Sequence, residues 1–171
     1  MPNTLSVSEA LKQEGQSFPF AAEVAVEEME IFGDRVRIDG ISAEGQYTAS
    51  GETVSLRGTA RGTVHAHCAR CLTPVARNVE AELAAEFAHT PDPEDPDQYS
   101  YEASTIDLTD PVRDALVLEL PIRFLCAEDC RGLCPKCGVN LNTGSCTCRD
   151  DGEDTSPFRV LRSIVENNEE V

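Results

Sequence analysis

Tryptophan is absent from this 171-residue chain, and aromatic residues make up only 5% of it. A core must therefore be built mostly from aliphatic side chains, which the 40% hydrophobic content can supply. Basic charge is scarce as well: 14 Lys and Arg stand against 31 Asp and Glu, a formal net charge of -17. Such a chain is repelled by phosphate backbones at long range and attracts basic partners, which disfavours nucleic-acid binding spread over the whole surface. No apolar run approaches the ~20 residues that cross a bilayer, so no membrane partner is expected. The opening "MPNTLSVSEALKQEG" lacks the basic and apolar regions of a leader, and the expected location is cytoplasmic.

Catalytic signatures are missing too. The sequence has no nucleotide-binding glycine loop, no Gly-x-Ser-x-Gly and no His-Glu-x-x-His. Its 3 histidines are His65, His67 and His89. His65 and His67 lie two apart, so on a strand they share a face. A solvated face is the expectation there, with an auxiliary metal or phosphate contact as the alternative. The chain is not expected to be an enzyme.

What is present is short-range alternation. The stretches "RVRIDGISA", "GQYTASG" and "ETVSLRGTARGTVHAHC" alternate apolar and polar residues between glycines, as antiparallel strands do. Gly51, Gly58 and Gly62 mark turns or bulges. "VARNVEAELAAEF" puts Val79, Ala81, Leu83, Ala85 and Phe87 on one face of a strand, although its Ala and Glu also suit a helix. Phe18 to Ile31 is a further candidate strand. Ser6 and Glu9 have the form of a capping box for a helix over about 7–14, stopped by Gly15. "DLTDPVRDALVLELP" predicts a helix capped by Thr109 or Asp110, with Val112, Ala115, Leu116 and Leu120 inward. "SPFRVLRSIVENNEEV" predicts a closing helix begun by Ser156 and Pro157. The expected fold class is α+β: an antiparallel sheet, able to close as a barrel, with flanking helices and a C-terminal zinc knuckle. Residues 1–125 form the α+β domain, with an acidic, proline-rich loop over 89–102. Residues 126–171 form a cysteine-rich, zinc-binding segment and the closing helix, packed on the same domain.

Six of the 8 cysteines fall within "CAEDCRGLCPKCGVNLNTGSCTC", Cys126 to Cys148. In a reducing compartment, clustered thiols point to metal rather than disulfides. Cys134-x-x-Cys137-Gly138 has the form of a zinc-knuckle half site, and Cys146-Thr147-Cys148 supplies a second half. Together they predict a closed tetrahedral Zn2+ site. Cys68-x-x-Cys71 and Cys126-x-x-x-Cys130 can form a second site that clamps a long loop. Spacing does not fix the pairing, so one zinc completed by Cys126 and Cys130 stays open. Iron–sulfur ligation and a thiol–disulfide enzyme built on Cys68 and Cys71 are further alternatives. Arg57, Arg61, Arg70 and Arg77 lie in a stretch without Asp or Glu, and are candidate RNA-phosphate contacts on an otherwise acidic protein.

"CARCLTP", followed by an alternating strand, an acidic loop and "LELPIRFLCAEDCRGLCPKCGVNLNTGSCTC", resembles the YceD family, also called DUF177. The resemblance runs from about Leu5 to Val165, and Cys137 to Asn142 is its most specific part. It implies a role in accumulation of 23S ribosomal RNA and in large-subunit assembly, without enzymatic activity and with a structural metal. The implied partners are a large-subunit precursor, through 23S rRNA or a basic ribosomal protein. A zinc-stabilised interaction adaptor with no ribosomal link is the remaining alternative.

Overall fold

Side-chain alternation builds the molecule. The structure, a computed structural model, describes residues 3–31, 33–95 and 97–148. The closing helix expected after Ser156 lies outside these residues. The described residues fall into two compact units that divide between Cys130 and Arg131.

The first unit opens with β1 (Thr4–Ser6) and α1 (Ser8–Lys12). Strands β2 (Ser17–Val24), β3 (Met29–Ile31), β4 (Asp34–Ser50), β5 (Thr53–His67) and β6 (Pro74–Ala88) follow. After them come β7 (Gln98–Ser100), β8 (Thr105–Asp107) and α2 (Thr109–Leu118). The main sheet has the order β2-β4-β5-β6-β7, with β3 also paired to β4. All its pairings are antiparallel except the short parallel contact of β7 with β6. β1 and β8 form a separate two-stranded ribbon. The sheet is thus not closed into a barrel. β6 finds β5 on one side and only three residues of β7 on the other, so among the described residues no strand joins its two ends.

The short strands expected around Gly40, Gly45, Gly58 and Gly62 merge into two long ones of 17 and 15 residues. Only Gly51, with φ of 60°, makes the expected turn, linking β4 to β5. A bulge at Asp39–Ser42 shifts the β4–β5 register by one residue. Gly45 and Gly58 face each other across these strands. A Cβ on Gly58 would lie 2.2 Å from the Glu44 carbonyl oxygen, and one on Gly45 2.2 Å from that of Arg57. Backbones this close leave room for hydrogen alone.

One face of β4, β5 and β6 is covered. Along β5, Val54, Leu56, Ala60, Val64 and Ala66 are buried, while Arg57, Arg61 and His67 are exposed. On β6, Ala81, Leu83, Ala85 and Phe87 point inward as their alternation predicts, and Val79 is half-buried. Val112 and Leu116 of α2 complete the same core, with Ala115 and Leu120 packed at its margin. Neither helix is capped as expected. Val7 precedes α1 with no side-chain cap, so the Ser6–Glu9 box does not form. At α2 the N-cap is Leu108, without a side-chain cap, and Asp107 just before it accepts from the Thr109 N–H at 2.8 Å. No described helix is long and apolar enough to cross a membrane.

Replacing Gly58 by Ala should therefore destabilise the fold by about 1–3 kcal/mol, the usual cost of forcing an extra carbon into a packed site. Thermal unfolding followed by far-ultraviolet circular dichroism would read this as a lower midpoint, and an unchanged midpoint would contradict the close approach.

Candidate metal centres

The turn from β5 to β6 carries Cys68 and Cys71. The Cys68 N–H donates to the Thr73 carbonyl (2.9 Å), and the Leu72 N–H donates to the Cys68 carbonyl (2.9 Å). The chain after α2 brings up the other half. The Ala69 N–H donates to the Phe124 carbonyl at 2.8 Å. Arg77 donates to the Leu125 carbonyl at 2.8 Å, and Arg70 to those of Cys130 (2.9 Å) and Glu128 (3.2 Å). Cys126 and Cys130 thereby meet the first pair. Cys68 and Cys130 sulfurs are 3.8 Å apart, and those of Cys71 and Cys126 are 3.5 Å apart. All four Sγ atoms lie within 4.8 Å of one another.

The second unit holds an independent tetrad. The Cys134 N–H donates to the Val139 carbonyl (2.9 Å), and the Gly138 N–H to the Cys134 carbonyl (2.8 Å). These are the same two ring closures as at Cys68. Asn140 and Asn142 shape the return. The Gly144 N–H donates to the Asn140 carbonyl, the Asn142 N–H to Asn140 Oδ1, and the Arg131 N–H to Asn142 Oδ1. Cys146 Sγ then lies 3.5 Å from Cys137 Sγ and 3.3 Å from Cys134 Sγ, and Cys148 completes a group within 4.8 Å.

All eight cysteines are free thiols. Sulfurs 3.3–3.8 Å apart are far beyond a disulfide bond of about 2.05 Å. They match instead the edges, about 3.8 Å, of a tetrahedron with Zn–S bonds of about 2.3 Å. The donor set fits a dication. Cys68 is opposed by burial, yet backbone N–H donors from Cys126, Arg70 and Cys71 outweigh this and hold its thiol pKa down, at about 6. Cys134 is lowered to about 6 by the N–H groups of Cys137 and Lys136. Crowding then acts on the remaining thiols: Cys126, hydrogen-bonded first to Cys71 and then Cys130, is pushed up to about 12. Cys146 also rises to about 12, because Cys134, Cys148 and Cys137 together outweigh the lowering effect of the Cys148 N–H. Without a cation, some thiols of each tetrad keep their protons. A dication would remove that conflict, and four sulfurs leave it no open position for substrate.

Cys126 and Cys130 are thus grouped with Cys68 and Cys71, and Cys134, Cys137, Cys146 and Cys148 form their own group. The four candidate RNA contacts are not gathered. Arg57 and Arg61 lie on the exposed face of β5, and Arg61 is already paired with Glu44 and Glu80. Arg70 and Arg77 are spent on carbonyls beside the first tetrad. His65 sits 3.3 Å from Asp39 on the exposed face, and neither His65 nor His67 joins a thiol group. Both Cys68 and Cys71 are buried, which limits the access of a disulfide substrate to their sulfurs. No polar or charged side chain is fully buried among the described residues. One element escaped sequence reasoning. Leu72, the residue after the second cysteine of its pair, has φ of 59°, as Gly138 has φ of 71° at the matching place. Aligning the two Cys-x-x-Cys-x stretches would have shown a leucine where the turn favours glycine.

The sequence model described as "Large ribosomal RNA subunit accumulation protein YceD" matches residues 56–164, a span containing all eight cysteines. The chain belongs to the YceD family. Among this family's relatives, the protein YlbN of Bacillus subtilis is 31% identical over 127 residues, covering 72% of this chain and 74% of that protein. An uncharacterized protein of Mycobacterium tuberculosis is 41% identical over 95 residues, covering 53% of this chain and 46% of its own length. The chain thus spans about half the length of the mycobacterial relatives it matches. A chloroplastic YCED homolog 1 of Arabidopsis thaliana, named for large ribosomal RNA subunit accumulation, is 35% identical over 78 residues. These are 44% of this chain and 24% of the plant protein. No solved structure matches the chain.

Leu72 is 63% exposed, so its side chain contributes little packing to offset its backbone. Leu72→Gly should relieve about 1–2 kcal/mol of left-handed strain, against about 0.4–1 kcal/mol of added unfolded-state entropy. The expected result is an equal or higher thermal midpoint, with Leu72→Val lower than both. A Leu72→Gly variant less stable than the Leu72→Val variant would refute the strain.

Proposed function

We propose that this protein is a non-catalytic assembly factor of the large ribosomal subunit, supporting accumulation of 23S rRNA in the cytoplasm, with one structural Zn2+ in each cysteine tetrad. The family match over residues 56–164 carries this reading. The two closed thiol groups support it, because they suit folding rather than turnover. The first zinc would tie the β5–β6 turn to the chain beyond α2, and the second would organise the residues after Arg131. A net charge of -17 favours a basic protein of the large subunit as the direct partner. The reading does not use Arg57, Arg61, Arg70 and Arg77, of which all but Arg57 are engaged within the chain.

Protein purified without added metal should carry two zinc ions per chain by elemental analysis. One ion would leave a single tetrad loaded, and none in a well-folded protein would end the metal part of the reading. Cys134→Ser should lose one ion and unfold the second unit, because metal binding is coupled to folding there.

Acid should release the metal, because protons compete with it for the thiolates. In the metal-free protein the depressed thiols of Cys68 and Cys134 contribute stability that is present above the ordinary value of 9.0 and is lost as pH falls through about 6. Zinc should stay bound at pH 8 and pass to a chromophoric chelator as the solution is acidified. Release that is complete at pH 8 would contradict this. For the assembly role, the protein should co-sediment with large-subunit precursors at low salt and leave them as salt rises, since exposed charges are screened over about 8–10 Å at physiological ionic strength. Absence of the wild type from precursor fractions at low salt would reject the ribosomal role and favour a zinc-stabilised adaptor.

A further inference from the structure

We propose that the open edge of β6 is a docking site for a basic, extended protein segment, which adds to the sheet as a further antiparallel or parallel strand. The proposal deepens the assembly reading above and rests on it for the identity of the partner as a basic large-subunit protein.

The edge is defined by hydrogen bonds. β6 pairs with β5 in unbroken register from Pro74 to Phe87. Its other side meets β7 only at Glu86, Phe87 and Ala88. There the Glu86 N–H donates to the Asp97 carbonyl (3.0 Å), and the Ala88 carbonyl accepts from the Tyr101 N–H (3.2 Å). Backbone groups of alternate residues point the same way along a strand, so the even-numbered residues of β6 face away from β5. Ala76, Asn78, Glu80, Glu82 and Ala84 therefore present their N–H and C=O groups outward. No backbone partner meets them among the described residues. This row is about 27 Å long, long enough for a full additional strand.

Unprotected edges of that length invite pairing, and side chains decide with whom. The same five residues carry their side chains on the exposed face. Glu80 is paired with Arg61, whereas Glu82 and Glu86 have no cationic partner among the described residues. The acidic loop ends beside the row, through the Glu86–Asp97 contact, and adds Asp92, Glu94, Asp95 and Asp97. A second copy of this chain would set glutamates against glutamates across the new ladder, which is destabilising. Lys or Arg at alternate positions of the added strand would meet Glu80 and Glu82 directly. Charge thus selects a basic segment over self-association, and backbone hydrogen bonds select an extended one.

The probe is an acetylated octapeptide of alternating Lys and Val, compared with the same sequence N-methylated at alternate residues so that it cannot complete a ladder. The full-length, metal-loaded protein should bind the unmethylated peptide at least about tenfold more tightly. Hydrogen exchange should slow at the amides of Asn78, Glu80, Glu82 and Ala84. Ala84→Pro removes one outward N–H without touching the β5 ladder, as edge prolines do. It should keep the thermal midpoint and lose about tenfold in peptide affinity. Glu82→Lys, which leaves the backbone intact, should lose affinity by a similar factor. Equal binding of the two peptides, or protection mapping away from β6, would overturn the proposal. So would protection of the same amides that appears without peptide as protein concentration rises, because the occupant would then be a second copy. Co-sedimentation separates the two readings. If the wild type co-sediments with precursors and Ala84→Pro does so equally well, the edge proposal fails and the assembly role stands. If the wild type binds the peptide through β6 but ignores precursors, the assembly role fails and the edge stands.

Discussion

Three long antiparallel strands, which bury alternate side chains over most of their length, are the constraint on which the rest of this structure depends. Once β4, β5 and β6 are in register, Leu56, Leu83 and Phe87 must face the same core, and Arg57, Arg61 and Glu80 must face water. The close approach at Gly45 and Gly58 holds the middle of this arrangement. Everything placed at its ends inherits that precision. The β5–β6 turn holds Cys68 and Cys71 at a fixed point of the sheet, and α2, seated on the covered face by Val112 and Leu116, sets where the chain departs toward Cys126.

The two thiol groups solve one problem by one device in different surroundings. In each, the first cysteine receives the backbone N–H groups of the residues two and three positions later, Arg70 and Cys71 or Lys136 and Cys137. The first group borrows a sheet turn and a distant segment, docked by Arg70 and Arg77. The second is built within eighteen residues, Arg131 to Cys148, and relies on asparagine side chains in place of a sheet. Small local cores gain most from such cross-links, since few apolar side chains are available to stabilise them.

Much of this was legible in the sequence because alternation and cysteine spacing are local signals. The inward face of β6 and the inner face of α2 follow directly from residue order. Other features depend on contacts between distant segments. Arg70 and Arg77 read as free cations in an acid-free stretch, and only the fold shows that they bond to carbonyls of Glu128, Cys130 and Leu125. Glycines at 58 and 62 read as turns because a glycine inside a strand is indistinguishable, in sequence, from one that ends it. The capping box at Ser6 and Glu9 failed because β1 holds Ser6 in a ribbon with Thr105, leaving Val7 to begin the helix. Openness of the sheet was equally invisible, since closure depends on a partner that β6 lacks among the described residues.

The bulge at Asp39–Ser42 acts as a phase reset. Before it, β4 buries even-numbered residues, Val36 and Ile38; beyond it, the buried positions are odd, Ile41, Ala43, Tyr47 and Ala49. The strand therefore tolerates two incompatible reading frames of hydrophobicity because one unpaired residue separates them. Losing a single residue there would join the frames and force a choice: either Val36 and Ile38 turn to solvent, or the half of β4 that pairs with β2 does. Single-residue deletions in this protein should thus be far more damaging near Gly40, in the middle of a paired strand, than in the acidic, proline-rich loop.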